Sequence, residues 1–277
     1  MGLRIATNVQ ALAAQRFLNN NHDLQNRSLE RLSSGSRINH AGDDAAGLAI
    51  SEKLKASIRS MKQASRNAND GISLVQVAEG AINEISNIMI RMRELSIQSA
   101  SDTIGEPERQ FTDKEVQHLK AEVDRISNLT EFNGTKLLNG VSGDLEIQVG
   151  INNNPNEDRL VFDAGNRVTT LEALGITGVS TKTKAEAQEN MTLVDGAIQK
   201  LSENRAGLGA LQNRIMSTVN NLAIYRENLE GANSRIRDTD MAEETSELVK
   251  QNILTQTNIA TLAQSNQTPQ LALKLLS

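Results

Sequence analysis

A chain of 277 residues with 38% hydrophobic residues is long enough to bury a sizeable core, yet it has no Trp, one Tyr, four Phe and three Pro. Leu, Ile, Val, Met and Ala must therefore do the packing, as in coiled coils, and an aromatic-walled active site is disfavoured. A net charge of −5 with both signs mixed along the chain argues against a nucleic-acid-binding stripe, and the lack of Cys rules out disulfide and thiolate chemistry.

The first 34 residues read as a weakly amphipathic helix. Ile5, Val9 and Leu12 step by four and three, and Leu18, His22, Gln25, Leu29 and Leu32 continue the rhythm with two polar members. The run Ser33-Ser34-Gly35-Ser36 breaks it. Asp43-Asp44 is expected to cap a second long helix, from about Asp44 to Ala100. That helix carries one apolar row through Leu54, Ile58, Met61, Ser65, Ala68, Ile72 and Val75. A neighbouring row runs through Leu74, Ala78, Ala81, Ile85, Ile88, Met92 and Leu95. Two adjacent rows make a face wide enough for two partners.

Gly105 and Pro107 introduce a third helix ending near Asn128. Asn133-Gly134 and Asn139-Gly140 signal turns. Leu145, Ile147, Val149 and Ile151 alternate as in a strand, and Leu160-Val161-Phe162 reads as the returning strand beyond an Asn-rich loop, which predicts a small β-hairpin at about 141–168.

From Met191 to Ile236 the periodicity is strongest. Val194, Leu201, Leu208, Ile215, Leu222, Leu229 and Ile236 stand seven residues apart, with a half-polar second row offset by three (Met191, Ile198, Arg205, Gln212, Val219, Arg226, Asn233). A sustained seven-residue repeat needs a long partner helix that the seam can follow. Asp240 with Glu243 resembles a capping box that starts a last helix. Val249, Ile253, Gln256, Ala260 and Ala263 give it a stripe, and Pro269 is expected to stop it after about Ser265, leaving Leu271, Leu273, Leu275 and Leu276 beyond. The fold class is therefore mainly α, a long antiparallel helical bundle or coiled coil built from the N- and C-terminal halves. Residues 1–40 and 241–277 each hold only eleven Ile, Leu, Val, Phe and Met, too few to repay the entropy of ordering them. Both ends are expected to fold only against copies of the same chain.

The residues offer little chemistry. His22, His40 and His118 are scattered, and no phosphate-binding loop, HExxH pair or GxSxG elbow occurs. No enzyme activity, metal or cofactor is expected. There is no signal-peptide core and no run near the ~20 apolar residues of a membrane span. Membrane insertion is not expected, and an exported chain would need another route.

Arg31-Leu32-Ser33-Ser34-Gly35-Ser36-Arg37-Ile38-Asn39, with Asp43-Asp44-Ala45-Ala46-Gly47-Leu48-Ala49-Ile50, closely resembles the N-terminal signature of bacterial flagellins. Ser234-Arg235-Ile236-Arg237-Asp238-Thr239-Asp240-Met241-Ala242-Glu243 is similar to their C-terminal signature, and Phe132-Asn133-Gly134 with Lys136-Leu137-Leu138 to the turn before their hairpin. The resemblance implies terminal helices (1–43 with 237–277) that line an inner tube and a surrounding rod (44–236). The variable outer domain is essentially absent, replaced by a short insert at about 141–184. It also implies a secreted subunit of the extracellular filament, delivered by the flagellum's own type III export. Its partners would be other copies of itself, the filament cap and hook–filament junction proteins, and an export chaperone on the C-terminal segment. Polymerisation and chaperone contacts are expected at Ile5, Val9, Leu12, Val249, Ile253, Leu262, Leu271, Leu273, Leu275 and Leu276. The family's recognition by the vertebrate Toll-like receptor for flagellin maps onto Arg91, Leu95 and Glu115, which would also pack one subunit on the next. The rival readings are the junction protein of the same family and a stand-alone coiled-coil adaptor.

Overall fold

The computed structural model describes the backbone of residues 7–274 and the side chains of 7–267. Ile5, Leu275 and Leu276 lie outside the described residues, as do the side chains of Leu271 and Leu273. In chain order the elements are α1 (Val9–Ser34), α2 (Ala45–Ala100), α3 (Glu106–Leu129), β1 (Glu131–Phe132), β2 (Thr135–Lys136), β3 (Asp144–Gln148), β4 (Arg159–Asp163), α4 (Leu171–Leu174), α5 (Lys184–Arg237) and α6 (Met241–Lys274). They divide into two compact units, Met1–Ala56 with Asn228–Ser277, and Ser57–Glu227. The long helices α2 and α5 contribute to both.

The larger unit has an aliphatic core. Val75, Ile82, Ile85, Met89, Met92 and Leu95 of α2 meet Val116 and Val123 of α3, and Val194, Leu201, Leu208 and Ile215 of α5, all within 1% of complete burial. The second apolar row read on α2, Leu74 to Leu95, faces this core throughout, and the first row joins it at Ala68, Ile72 and Val75. The pairing of α2 with α5 is antiparallel. Lys184, at the start of α5, holds Asp102 just beyond the end of α2. Further along α5, Asp195 takes the guanidinium of Arg93 from earlier on α2.

The seven-residue row of α5 fades along its length: Val194 to Ile215 are fully buried, whereas Leu222, Leu229 and Ile236 are half-buried. Its companion row sits one residue earlier than the sequence pattern suggests. Asn190, Ala197 and Leu211 are buried, while Met191, Ile198 and Gln212 are half-buried and Arg205 is exposed. A heptad seam can be completed three or four residues along, and the small Ala197 lets the partner helix come close where Ile198 would hold it off.

The hairpin β3–β4 is antiparallel, with Asp144 opposite Asp163 and Gln148 opposite Arg159. It docks where α2 has no side chain: a Cβ on Gly71 would stand 2.7 Å from Cδ1 of Ile147. One helical turn earlier, Asn67 Nδ2 donates to the Gln148 carbonyl at 3.1 Å. The predicted turn at Asn133-Gly134 closes the β1–β2 hairpin, with both residues at positive φ (51° and 78°), as a two-residue hairpin turn of this hand requires.

α3 carries a polar ladder that fixes the C-terminal end of α2 and the segment leading into α5. The Arg109 guanidinium donates to the carbonyls of Ser99 and Ser101. Asp113, 4% exposed, accepts the Thr181 N–H at 2.9 Å and the Ser180 hydroxyl at 3.0 Å. Lys120 Nζ reaches the carbonyls of Thr177 and Val179 at 2.7 and 3.1 Å; burial pushes its pKa below the usual lysine value. These contacts deliver the chain to α5, which begins before the expected Met191 because Thr183 and Glu186 form a reciprocal capping box.

In the smaller unit α1 lies along α6. The apolar stripe expected on α6 turns away from α1, and the one expected on α1 is split, with Leu18, Gln25 and Leu32 half-buried and Leu29 exposed. The inward side of α1 is Ala11, Ala14, Leu18, Asn21, Gln25 and Ser28, and that of α6 is Leu248, Gln251, Thr255, Asn258, Leu262 and Ser265. His22, expected on a packing seam, is exposed. Nor does α6 stop near Ser265, since it continues through Pro269 to Lys274. Proline at 269 withholds the N–H that the Ser265 carbonyl would accept, and Asn8 Nδ2 supplies a donor there at 2.8 Å.

Candidate assembly surfaces

The α1–α6 contact combines a few half-buried leucines with cross-helix amide hydrogen bonds. Asn21 Nδ2 donates to the Gln251 carbonyl at 2.7 Å and to the Thr255 hydroxyl at 2.5 Å. Gln25 Nε2 donates to Asn252 Oδ1 at 2.7 Å, and Arg31 approaches Glu244 at 3.7 Å. The large apolar residues stand on the other sides of the same helices. Val9, Leu12, Phe17, Leu24 and Leu29 of α1 are 46–64% exposed, and Val249, Ile253, Leu254 and Ile259 of α6 are 41–58% exposed. Of the expected assembly residues with described side chains, Val9, Leu12, Val249 and Ile253 thus point outward, while Leu262 is half-buried against α1. The sequence reads these stripes as contacts with other copies, and within the described residues the α1–α6 pair leaves them uncovered.

The two signature stretches, far apart in sequence, meet in this same unit. Gly35 takes φ 68° as the left-handed C-cap of α1, which turns the chain so that Ser36 bridges Asp238. The Arg37 N–H donates to the Arg237 carbonyl at 2.6 Å, and the Thr239 N–H to the Gly35 carbonyl at 3.0 Å. The Arg37 guanidinium reaches the Ile236 carbonyl at 2.8 Å, one of the last in α5, where a cation complements the helix dipole. Arg237 in turn binds Glu52 of α2 at 2.6 Å.

Beside this junction, Asp43 accepts the N–H groups of Asn39 and His40, which hold its carboxyl below the ordinary range. Asp44 caps α2 through the Gly47 N–H at 2.8 Å. Gly47 leaves room for Ile38: a Cβ there would lie 2.9 Å from the Ile38 Cδ1, and Ile38 is 1% exposed. The family-like motifs are therefore a folded joint, with no catalytic constellation in it. Among the described residues, no cluster of His, Asp or Glu could hold a metal.

On the larger unit, Arg91 of α2 donates through Nε to Glu115 of α3 at 2.9 Å and through Nη1 to Glu94 at 3.1 Å. These two carboxylates raise the Arg91 pKa above its ordinary value. The pair is exposed; Ile90 and Ile97 of α2 and Phe111 of α3 are exposed as well. Leu95 is not on this surface. At 1% exposure it belongs to the subunit's own core, and from there it seats the turn of α2 that carries Arg91.

Several of the helix-tying carboxylates share one electrostatic sign. Asp195 is held below the usual aspartate range by Arg93, Asp102 by Lys184, and Glu52 by Arg237. Each binds its proton less readily folded than unfolded. The stability they contribute is present above the ordinary carboxylate range, near pH 4, and is lost as pH falls through the lowered folded values. The melting temperature should hold near neutrality and drop below about pH 4. Asp195→Asn should shrink that drop, and raising salt at pH 7 should weaken the same pairs. Melting curves by circular dichroism across pH 3–7 check this.

Comparison with known proteins decides what these surfaces belong to. The family described as the bacterial flagellin N-terminal helical region matches residues 5–143, and the bacterial flagellin C-terminal helical region matches 191–276. The flagellin of Halalkalibacterium halodurans is 45% identical over 271 residues, covering 97% of this chain and 98% of that one.

The chain belongs to the bacterial flagellin family.

The flagellin of Bacillus subtilis is 42% identical, covering 99% of this chain and all of its own. The crystal structure of Bacillus cereus flagellin is similar at 33% identity with a TM-score of 0.51, over 57% of this chain and 88% of that one. This flagellin is thus a structural subunit of the bacterial flagellar filament and not an enzyme. It is a short member. Between the two matched regions lie only the hairpin β3–β4, α4 and the start of α5, with no outer domain.

Proposed function

We propose that this flagellin builds its filament chiefly through the outward faces of α1 and α6, each copy burying Val9, Leu12, Val249 and Ile253 against its neighbours. The observation that carries this reading is the helix pair's burial pattern: amides, small residues and the half-buried Leu18, Leu248 and Leu262 lie within, and ten large apolar side chains among the described residues lie without. Such a pair gains little apolar burial on its own, so association supplies what internal packing does not, and the termini complete their folding as they assemble. The terminal segments 1–43 and 237–277 form the inner tube, and 44–236 the rod around it. The chain leaves the cell by flagellar type III export. Its C-terminal segment is held beforehand by an export chaperone that captures the α6 stripe as a helix in a groove. Filament cap and hook–filament junction proteins meet the growing and basal ends. The exposed Arg91–Glu115 pair packs between rods in the filament, and in the free chain it is open to the vertebrate Toll-like receptor for flagellin.

Purified chain mixed with short filament seeds should yield long filaments by electron microscopy. A chain that only blocks seed ends would favour the junction role, and a stable helical dimer indifferent to seeds would favour an adaptor. Either result overturns the proposal.

A further inference from the structure

The C-terminal helix breaks a rule that most helices obey. A proline in a helix interior removes one hydrogen bond and pushes away the carbonyl four residues before it, at a cost of about 3 kcal/mol. The sequence around Pro269 predicts a stop near Ser265 for this reason, yet α6 runs on to Lys274. The carbonyl concerned is that of Ser265, a residue only 8% exposed, so water is poorly placed to serve it and a protein donor is needed.

That donor comes from the other end of the chain. Asn8 Nδ2 donates to the Ser265 carbonyl at 2.8 Å. The same side chain caps α1, with Oδ1 accepting the Ala11 N–H at 3.1 Å. One amide thus uses its acceptor to start the first helix and its donor to carry the last helix past its proline. Asparagine suits this double role. Aspartate or serine could cap α1, but an ionised aspartate has no donor and serine has a much shorter reach.

We propose that Asn8 is a positioning residue for assembly, acting as a clamp through which α1 licenses α6 to continue as helix beyond Pro269. Wherever α1 is not seated, the C-terminal helix ends near Ser265, and residues 266–274 become helical only when the clamp closes. The inference rests on the filament-forming role proposed above, because it concerns how the leucine-bearing end of α6 is presented to neighbouring copies. It makes the geometry of the C-terminal end depend on the N-terminal segment of the same chain.

The test uses the full-length chain grown from filament seeds, with amide hydrogen exchange read by mass spectrometry. Asn8→Asp keeps the cap acceptor but replaces the donor with a carboxylate oxygen facing a carbonyl. Peptides spanning 266–274 should then exchange about tenfold faster, the scale expected when a buried carbonyl loses its partner, while those from 11–30 stay protected. Pro269→Ala restores a backbone N–H at the orphaned position. In that background Asn8→Asp should have little effect, and Pro269→Ala alone should protect 266–274 at least as well as the wild type. If Asn8→Asp fails to elongate, recovery of growth by adding Pro269→Ala supports the clamp.

Unchanged exchange in Asn8→Asp, no rescue by Pro269→Ala, or weaker protection in Pro269→Ala alone each overturns it. Wild-type growth accompanied by any of these results would leave the filament role standing and the clamp refuted. A wild-type chain that ignores seeds would count against the filament role instead. The same exchange comparison on the free chain then decides the clamp, because the Asn8–Ser265 bond lies within one chain.

Discussion

Replacing Val249 and Ile253 together by aspartate is expected to abolish filament growth from seeds while leaving the free chain's thermal unfolding nearly unchanged. The two side chains are 57% and 58% exposed and lie one turn apart on the outer face of α6, so in the free chain their replacement disturbs no packed neighbour. Surface changes of that kind stay within about 0.5 kcal/mol each. In an apolar contact between copies the balance reverses. Two aliphatic side chains lose about 1.5–3 kcal/mol of burial apiece, and each carboxylate must be desolvated without a partner at a further cost of several kcal/mol. Growth repeats the defect at every added subunit, so elongation should fall by far more than a hundredfold. Val249→Ala with Ile253→Ala should give an intermediate rate, since it removes contact area without burying charge. Elongation followed by light scattering and electron microscopy, beside melting curves of the unassembled chain, separates the two effects. Normal elongation of the double aspartate variant would show that this face stays in water in the filament.

The long elements were legible because their periodicity is redundant. α2, 56 residues long, repeats its apolar step from Leu54 to Leu95, and α3 follows a Gly-x-Pro start, so boundary errors there stay small. The hairpin β3–β4 was legible from alternation on either side of an Asn-rich loop, and the joint from the signature motifs. What periodicity does not carry is direction. A stripe at 249, 253, 256, 260 and 263 says that one face of α6 is apolar, but says nothing about whether α1 or another molecule covers it. Inward positions such as Ala14, Asn21 and Ser28 of α1 carry no large apolar side chain, so of the α1 contact the stripe picked out Leu18, Gln25 and Leu32 and missed the rest. The same blindness to small residues displaced the second row of α5 by one position, to Ala197.

Two other features had signals that periodicity missed. Thr183 with Glu186 is a capping box spelled out in the sequence, and it starts α5 ahead of the point where aliphatic residues begin to repeat. Pro269 carried the opposite signal. Its local meaning is a stop, and only a donor from residue 8 overrides it, a long-range contact that no local rule contains. Leu95 fell between the two kinds of error. The family resemblance placed it on a recognition surface and the helical period placed it in the core row, and the structure sides with the period.

The seven-residue row of α5 allows the sharpest test of how far pattern translates into energy. By spacing alone, Leu201 and Leu222 are equivalent. In the folded chain Leu201 is fully buried among α2 and α5 neighbours, while Leu222 is half-buried. Leu201→Ala removes a side chain from a close-packed core and leaves a cavity, which should cost about 2–5 kcal/mol. Leu222→Ala should cost roughly half of that or less, because part of its surface already meets water. Denaturant unfolding of the free chain, with unchanged m-values, measures the difference. Elongation from seeds then asks a second question of the same pair. If the exposed side of Leu222 is covered by a neighbouring copy, Leu222→Ala should slow growth by more than its small effect on the free chain accounts for. Leu201→Ala should affect growth only as much as it destabilises the subunit. Equal unfolding penalties would mean that the spacing, and not the observed burial, sets the energy of this row.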